Sequence, residues 1–230
     1  MKQFFIITFA ITLIVAFSRT GHTASLEAPE HISLATQDGA TIYADLYGKG
    51  ERGLVLAHGG RFNKESWEPQ TQVFAPAGFR VLALDFRGYG QSPPHANGAS
   101  LHLDVLAAVR YLRKAGARTV SVVGGSLGGG AAADAAIAAA PGEIDGLVLL
   151  GTGGGEGPTE KLKGRLLFIV ARDDTSGDGL RLPGILAKYN QAPQPKKMVL
   201  IESSAHAQFM FATKHGDRVM NEILSFLVAR

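Results

Sequence analysis

No cysteine occurs anywhere in the 230 residues. That excludes a disulfide framework, a thiol nucleophile, a lipidated cysteine anchor and any cysteine-ligated metal. Charge is sparse as well: charged residues make up 19% of the chain and the formal balance is only +3. Lys2 and Arg19 lie in a leading segment without acids, so the balance without residues 1–24 falls to +1. So slight an excess gives no support for binding to nucleic acid or to an acidic membrane surface. Long apolar runs are scarce too. The one that stands out, Phe4–Phe17, is fourteen residues long and has threonine as its only polar type. It is short for a membrane span but fits the apolar region of a secretory signal behind Lys2. Residues 1–24 are therefore expected to be a signal peptide, and the protein secreted or periplasmic in a bacterium. Ala24 before Ser25 offers one cleavage point and Ala16-Phe17-Ser18 a better-spaced one; an uncleaved N-terminal anchor is the alternative. Residues 25–230 suit one domain with a sizeable core.

What the chain does have is alternation. His31–Thr36 and Thr41–Tyr47 read as two strands joined by a turn at Gln37-Asp38-Gly39, a hairpin signal. Short apolar strands then follow at Gly53–Ala57, Arg80–Leu84, Thr119–Val123, Gly146–Leu150, Arg165–Val170 and Met198–Glu202. Between them lie helical patterns at Ser66–Ala75, Leu101–Lys114 and the stretch after Ser126, with a terminal helix around Phe211–Ala229. Strands alternating with helices predict a mainly parallel sheet, begun by an antiparallel hairpin and covered by helices on both faces.

The most informative stretch is Gly124-Gly125-Ser126-Leu127-Gly128. A β-branched strand precedes it, and a small-residue helix, stopped at Pro141-Gly142, follows. Strand, G-x-S-x-G and helix in that order form a nucleophile elbow, in which a tight turn holds the serine hydroxyl above the sheet. Flanking glycines suit such a turn because a Cβ would collide with neighbouring backbone. A Gly-rich strand-to-helix turn without chemistry is the alternative if the motif stands alone.

It does not stand alone. The strand Gly53–Ala57 runs into His58-Gly59-Gly60-Arg61, and the next into Asp85-Phe86-Arg87-Gly88-Tyr89-Gly90-Gln91-Ser92. After Ser126 come Asp173-Asp174 behind one strand and His206 behind the last. In these features, from residue 31 to the end, the chain resembles the α/β-hydrolase superfamily. The resemblance implies that fold without a lid domain, with Ser126 as nucleophile, His206 as base and an aspartate orienting the histidine. The family's G-x-x-D spacing, with Ala171 in the glycine position, selects Asp174; Asp173 is the alternative and Asp178 a distant third. The oxyanion hole would be made by the backbone N–H groups of Leu127 and Gly60, with Arg61 the neighbouring candidate for the second.

These residue types suit acyl transfer. A hydroxyl is a weak nucleophile until an imidazole takes its proton, and a carboxylate fixes the tautomer of that imidazole. The expected reaction is hydrolysis of a carboxylic ester through an acyl-enzyme, with a small-molecule ester as partner. Thioesters, amides and peptides are alternatives for the same three side chains, and a non-catalytic interaction protein on this fold is the competing class. No cofactor is implied, and no metal site, because His58, His95 and His102 lack ligand spacing. His58 is read as part of the oxyanion loop, Asp85 and Arg87 as supports of a strand end, and Asp134 as a salt-bridge residue. Phe62, Trp67, Phe209, Met210 and Phe211 are divided between core and acyl pocket. Finally, Gly151–Gly164 is too short for a helical lid, which predicts an open cleft.

Overall fold

The computed structural model describes residues 28–96 and 100–229. The expected signal peptide lies outside the described residues. The first strands, β1 (Glu30–Ala35) and β2 (Thr41–Tyr47), pair antiparallel as a hairpin. Then follow β3 (Arg52–Ala57), β4 (Phe79–Leu84), β5 (Thr119–Gly125), β6 (Gly146–Leu150), β7 (Arg165–Ala171), a small pair β8 (Thr175–Ser176) and β9 (Gly179–Leu180), and β10 (Lys196–Ile201). The main sheet has eight strands in the order β1-β2-β4-β3-β5-β6-β7-β10. β2 meets β4 antiparallel, and every pair from β4 through to β10 is parallel.

Parallel strands need crossovers, and these put helices on both faces of the sheet. The α-helices are α1 (Glu68–Phe74), α2 (Leu101–Lys114), α3 (Leu127–Ala138), α4 (Leu182–Gln191) and α5 (Gly216–Val228). Burial from both sides makes the central strands continuously apolar rather than alternating. Within β7, Leu166, Phe168 and Val170 face the cluster that includes Val105, Val109 and Ala132, from α2 and α3. Leu167, Ile169 and Ala171 face the opposite cluster, with Trp67, Phe74, Val219 and Ile223.

Three segments of the chain depart from the sequence expectation. The segment read as one helix from Ser66 begins as a 3-10 turn, Lys64–Trp67, before α1. The terminal segment divides into a 3-10 stretch, Ala207–Ala212, and α5. Between β7 and β10 the chain forms the β8–β9 hairpin and α4, neither of which is expected from the sequence. The hairpin is six residues of mostly exposed chain without an apolar pattern, whereas α4 does set Leu182, Ile185 and Tyr189 against the core at helical spacing, a short pattern interrupted near its start by Pro183 and Gly184.

Because β3 to β7 and β10 run in one direction, their carboxyl ends share one edge. The loops leaving that edge begin at His58, Asp85, Ser126, Gly151, Arg172 and Glu202. In open α/β sheets this is where ligands bind.

Candidate active site

Among the described residues Ser126 is one of two non-glycine residues with positive φ, at 50°. The turn is forced by packing. A Cβ on Gly124 would lie 2.5 Å from the carbonyl oxygen of Gly128, and one on Gly128 only 2.3 Å from that of Ala57. Strand, turn and helix are thus pressed together until only glycine fits. Ser126 absorbs the resulting backbone strain, of the order of 1–3 kcal/mol. Its N–H donates to the Leu150 carbonyl at 2.9 Å and its carbonyl accepts from Gly130 N–H at 2.9 Å, which fixes the turn between β6 and α3.

His206 enters from the loop after β10. Its Nε2 stands 2.7 Å from Ser126 Oγ and its Nδ1 2.6 Å from Asp174 Oδ2. Asp174 is 1% exposed, whereas Asp173 is exposed and does not meet the histidine. A carboxylate at Nδ1 keeps that nitrogen protonated and leaves Nε2 free to accept the serine proton. Leu127 opens α3, so its N–H has no partner one turn back. Gly60 lies alongside: a Cβ on it would be 3.6 Å from Leu127 Cδ2. Gly60, Arg61, Leu127, Ser126 and His206 all line one cleft of about 380 Å³.

Other sequence candidates sort by burial. His58 is fully buried; its Nε2 accepts from Phe86 N–H at 3.2 Å, and its Nδ1 donates to the Gly59 carbonyl at 2.9 Å. Burial pushes its pKa below the ordinary histidine value, despite the Gly59 contact and the nearby Asp85. Asp85 accepts from the backbone N–H of Lys64 at 2.7 Å and of Gln91 at 2.9 Å, tying two loops to a strand end. Asp134 corrects the salt-bridge expectation: it accepts from the N–H groups of Glu156 and Gly157, at 3.1 and 2.8 Å, and so secures the glycine-rich loop. Trp67 and Met210 are core, while Phe62 and Phe209 line the cleft with their ring centroids 4.9 Å apart. Among the described residues no three His, Asp or Glu side chains converge as metal ligands.

Two residues that the sequence reading passes over also meet here. Gln208, nearly buried, accepts from Gly59 N–H through Oε1 at 2.7 Å and donates from Nε2 to Ser66 Oγ at 3.0 Å. It joins the histidine loop to the His58–Arg61 loop across a long sequence separation, so only its place beside His206 marks it. Arg181 lines the cleft and is pinned by the small hairpin, its N–H donating to the Asp174 carbonyl at 2.9 Å. No sequence signal singles it out.

The family profile for the alpha/beta hydrolase fold matches residues 54–206. The chain belongs to the α/β-hydrolase family. A non-heme chloroperoxidase of Kitasatospora aureofaciens is 34% identical over 95 residues, covering 41% of this chain and 34% of that one. A bifunctional esterase/perhydrolase of Acinetobacter calcoaceticus is 36% identical over 101 residues, 42% of this chain and 36% of that one. The chain thus matches about a third of the length of each of these curated relatives. Among solved structures, an esterase from Exiguobacterium antarcticum superposes with a TM-score of 0.72 at 16% identity, covering 87% of this α/β-hydrolase and all of that chain.

Proposed function

We propose that this α/β-hydrolase is a serine hydrolase that cleaves a carboxylic ester through an acyl-enzyme. The observation that carries the reading is the continuous hydrogen-bonded line Ser126–His206–Asp174, open to a cleft at its serine end. In the first half-reaction His206 Nε2 takes the Ser126 proton as Oγ bonds to the carbonyl carbon. Charge moves to the carbonyl oxygen, facing the N–H groups of Leu127 and Gly60. Collapse expels the alcohol, which leaves with the proton from the imidazolium. Water then repeats the sequence on the acyl-serine, His206 again acting first as base and then as acid. Asp174 stabilises the imidazolium in both halves without taking its proton.

Short or water-soluble acyl groups fit best. The Gly151–Gly164 connection carries only a 3-10 turn, Thr159–Lys161, and the Phe62–Phe209 ring pair separates the cleft from the neighbouring groove beside Pro69 and Phe211. Thioesters and activated amides can use the same route, since the three side chains do not select the leaving group. Residues 1–24 are proposed as an export leader, which N-terminal sequencing of the mature protein tests.

The deciding experiment is labelling of the purified protein with a fluorophosphonate probe, followed by mass-spectrometric mapping. Labelling of Ser126, absent in Ser126→Ala, supports the reading. No labelling together with no turnover of short esters means a non-catalytic member of the fold, and labelling of another serine overturns the assignment.

A further inference from the structure

The acyl-transfer chemistry leaves two cations of the cleft unused. Arg61 follows Gly60 directly, is exposed, and makes no hydrogen bond or ion pair with the described residues. Arg181 stands on the opposite loop, where the β8–β9 hairpin returns the chain to Asp174. Its Nε lies 3.4 Å from Asp174 Oδ1 without a hydrogen bond, and both atoms are buried with no hydrogen-bond partner. The rest of its guanidinium has no hydrogen-bond partner among the described residues, and the side chain is 37% exposed along the cleft.

Among the described residues, none that lines the cleft is acidic. Beneath it, Asp174 supplies one negative charge, already directed at His206 through its other oxygen. With His206 neutral, two guanidinium groups therefore face one carboxylate, and the site carries one uncompensated positive charge. A planar guanidinium matches a carboxylate in shape as well as charge, and a partly desolvated cation without hydrogen bonds gains most from such a partner. Phe62, Phe209 and Thr175 line the same cleft and carry no charge.

We propose that the cleft selects esters that carry a free carboxylate, the half-esters of short dicarboxylic acids. Arg61 and Arg181 receive that carboxylate while the ester carbonyl lies at Ser126. The inference rests on the serine-hydrolase reading and names its substrate class.

The test compares monoethyl glutarate with ethyl valerate, which match in acyl length and differ in charge, by pH-stat titration of the full purified chain at low and high salt. The anion is expected to have at least a tenfold higher kcat/KM at low salt, with the preference shrinking as salt screens the arginines. Arg61→Gln and Arg181→Gln are each expected to lower the anionic-to-neutral ratio about tenfold, through KM for the anion. A wild-type ratio of one or below, with both esters hydrolysed, overturns the inference and leaves the serine-hydrolase reading standing. An Arg181→Gln variant that lowers kcat equally for both esters, with Arg61→Gln leaving the ratio unmoved, also overturns it, reducing Arg181 to a support for Asp174. Hydrolysis of neither ester, with no fluorophosphonate label on Ser126, removes both readings together.

Discussion

Two of the charged clusters among the described residues, one around Arg87 and one around Asp174, differ in how completely their atoms are satisfied. In the first, Arg87 grips Asp104 through Nε and Nη2 at 2.9 and 2.6 Å, and Asp38 through Nη1 at 2.6 Å. The Arg87 backbone N–H also donates to Asp104 at 3.0 Å, and Thr36 Oγ1 donates to Asp38 at 2.6 Å. Hydrogen bonds from Arg87 and Thr36 hold the Asp38 carboxyl well below the ordinary carboxylate range. In the second, Asp174, His206, Ser126 and Arg181, one carboxylate oxygen and one guanidinium nitrogen are buried without a hydrogen bond. A closed network rigidifies, since every group in it has its partner. An incomplete one beside a cleft leaves interactions for something else to make. The first cluster is read as structure and the second as chemistry, and substitutions can break that division.

The largest effect is expected within the second cluster. Asp174→Asn leaves the imidazole in the wrong tautomer and should lower kcat by up to about 10⁴-fold, with Asp173→Asn causing little change. Ester kinetics on both variants measure this, and equal losses would place the orienting acid elsewhere. In the first cluster, Arg87→Met strands Asp104, which is wholly buried, and should cost about 3–5 kcal/mol of stability. Urea denaturation reads that loss, and kcat per folded molecule should hold; a fall in kcat at unchanged stability would end the contrast. A smaller effect is expected from Gln208→Ala, which frees the Gly59 loop from the histidine loop. Displacement of the proposed oxyanion donors should reduce kcat about 10- to 100-fold with KM little changed, and a loss confined to KM would contradict a positioning role.

The smallest concerns His58, a closed site one residue from the cleft lining. Its folded pKa is depressed by burial, so the unfolded chain takes up a proton that the folded one refuses. Stability from this group is therefore full above the unfolded value of about 6.5 and declines as pH falls below it, by at most about 1.4 kcal/mol per pH unit. Urea midpoints between pH 7.5 and 5 should fall less steeply in His58→Gln than in the parent, and parallel slopes would show that the ring is not held neutral.

The parts legible in the sequence were those whose signal is local. The helix Leu101–Lys114 and the strand Gly146–Leu150 coincide with their sequence boundaries, because burial of one helix face writes a period into the chain and burial of both strand faces writes an unbroken apolar run. The strand-end positions of Ser126, His206 and the aspartate pair were legible for a related reason, each following an apolar run. Between the adjacent aspartates only the family's spacing from Ala171 pointed to Asp174, and it is the turn after β7 that brings this carboxylate, and not that of Asp173, to the histidine. Gln208 and Arg181 were invisible because their roles come from partners brought close by the fold. The hairpin before Arg181 is exposed on both faces, so neither propensity nor pattern announces it.

The glycines on the two sides of the cleft have a bearing on how this protein can be redesigned. At Gly124 and Gly128 every added atom strikes backbone, so the wall carrying Ser126 cannot be rewritten residue by residue. At Gly177, on the hairpin, and Gly184, early in α4, an added Cβ meets nothing within 4 Å. That rim has room for new side chains or for extra residues between Thr175 and Leu180. An insertion there would hang over the cleft from a segment that contributes little to the core, turning an uncovered site into a roofed one while the strained turn beneath stays as it is.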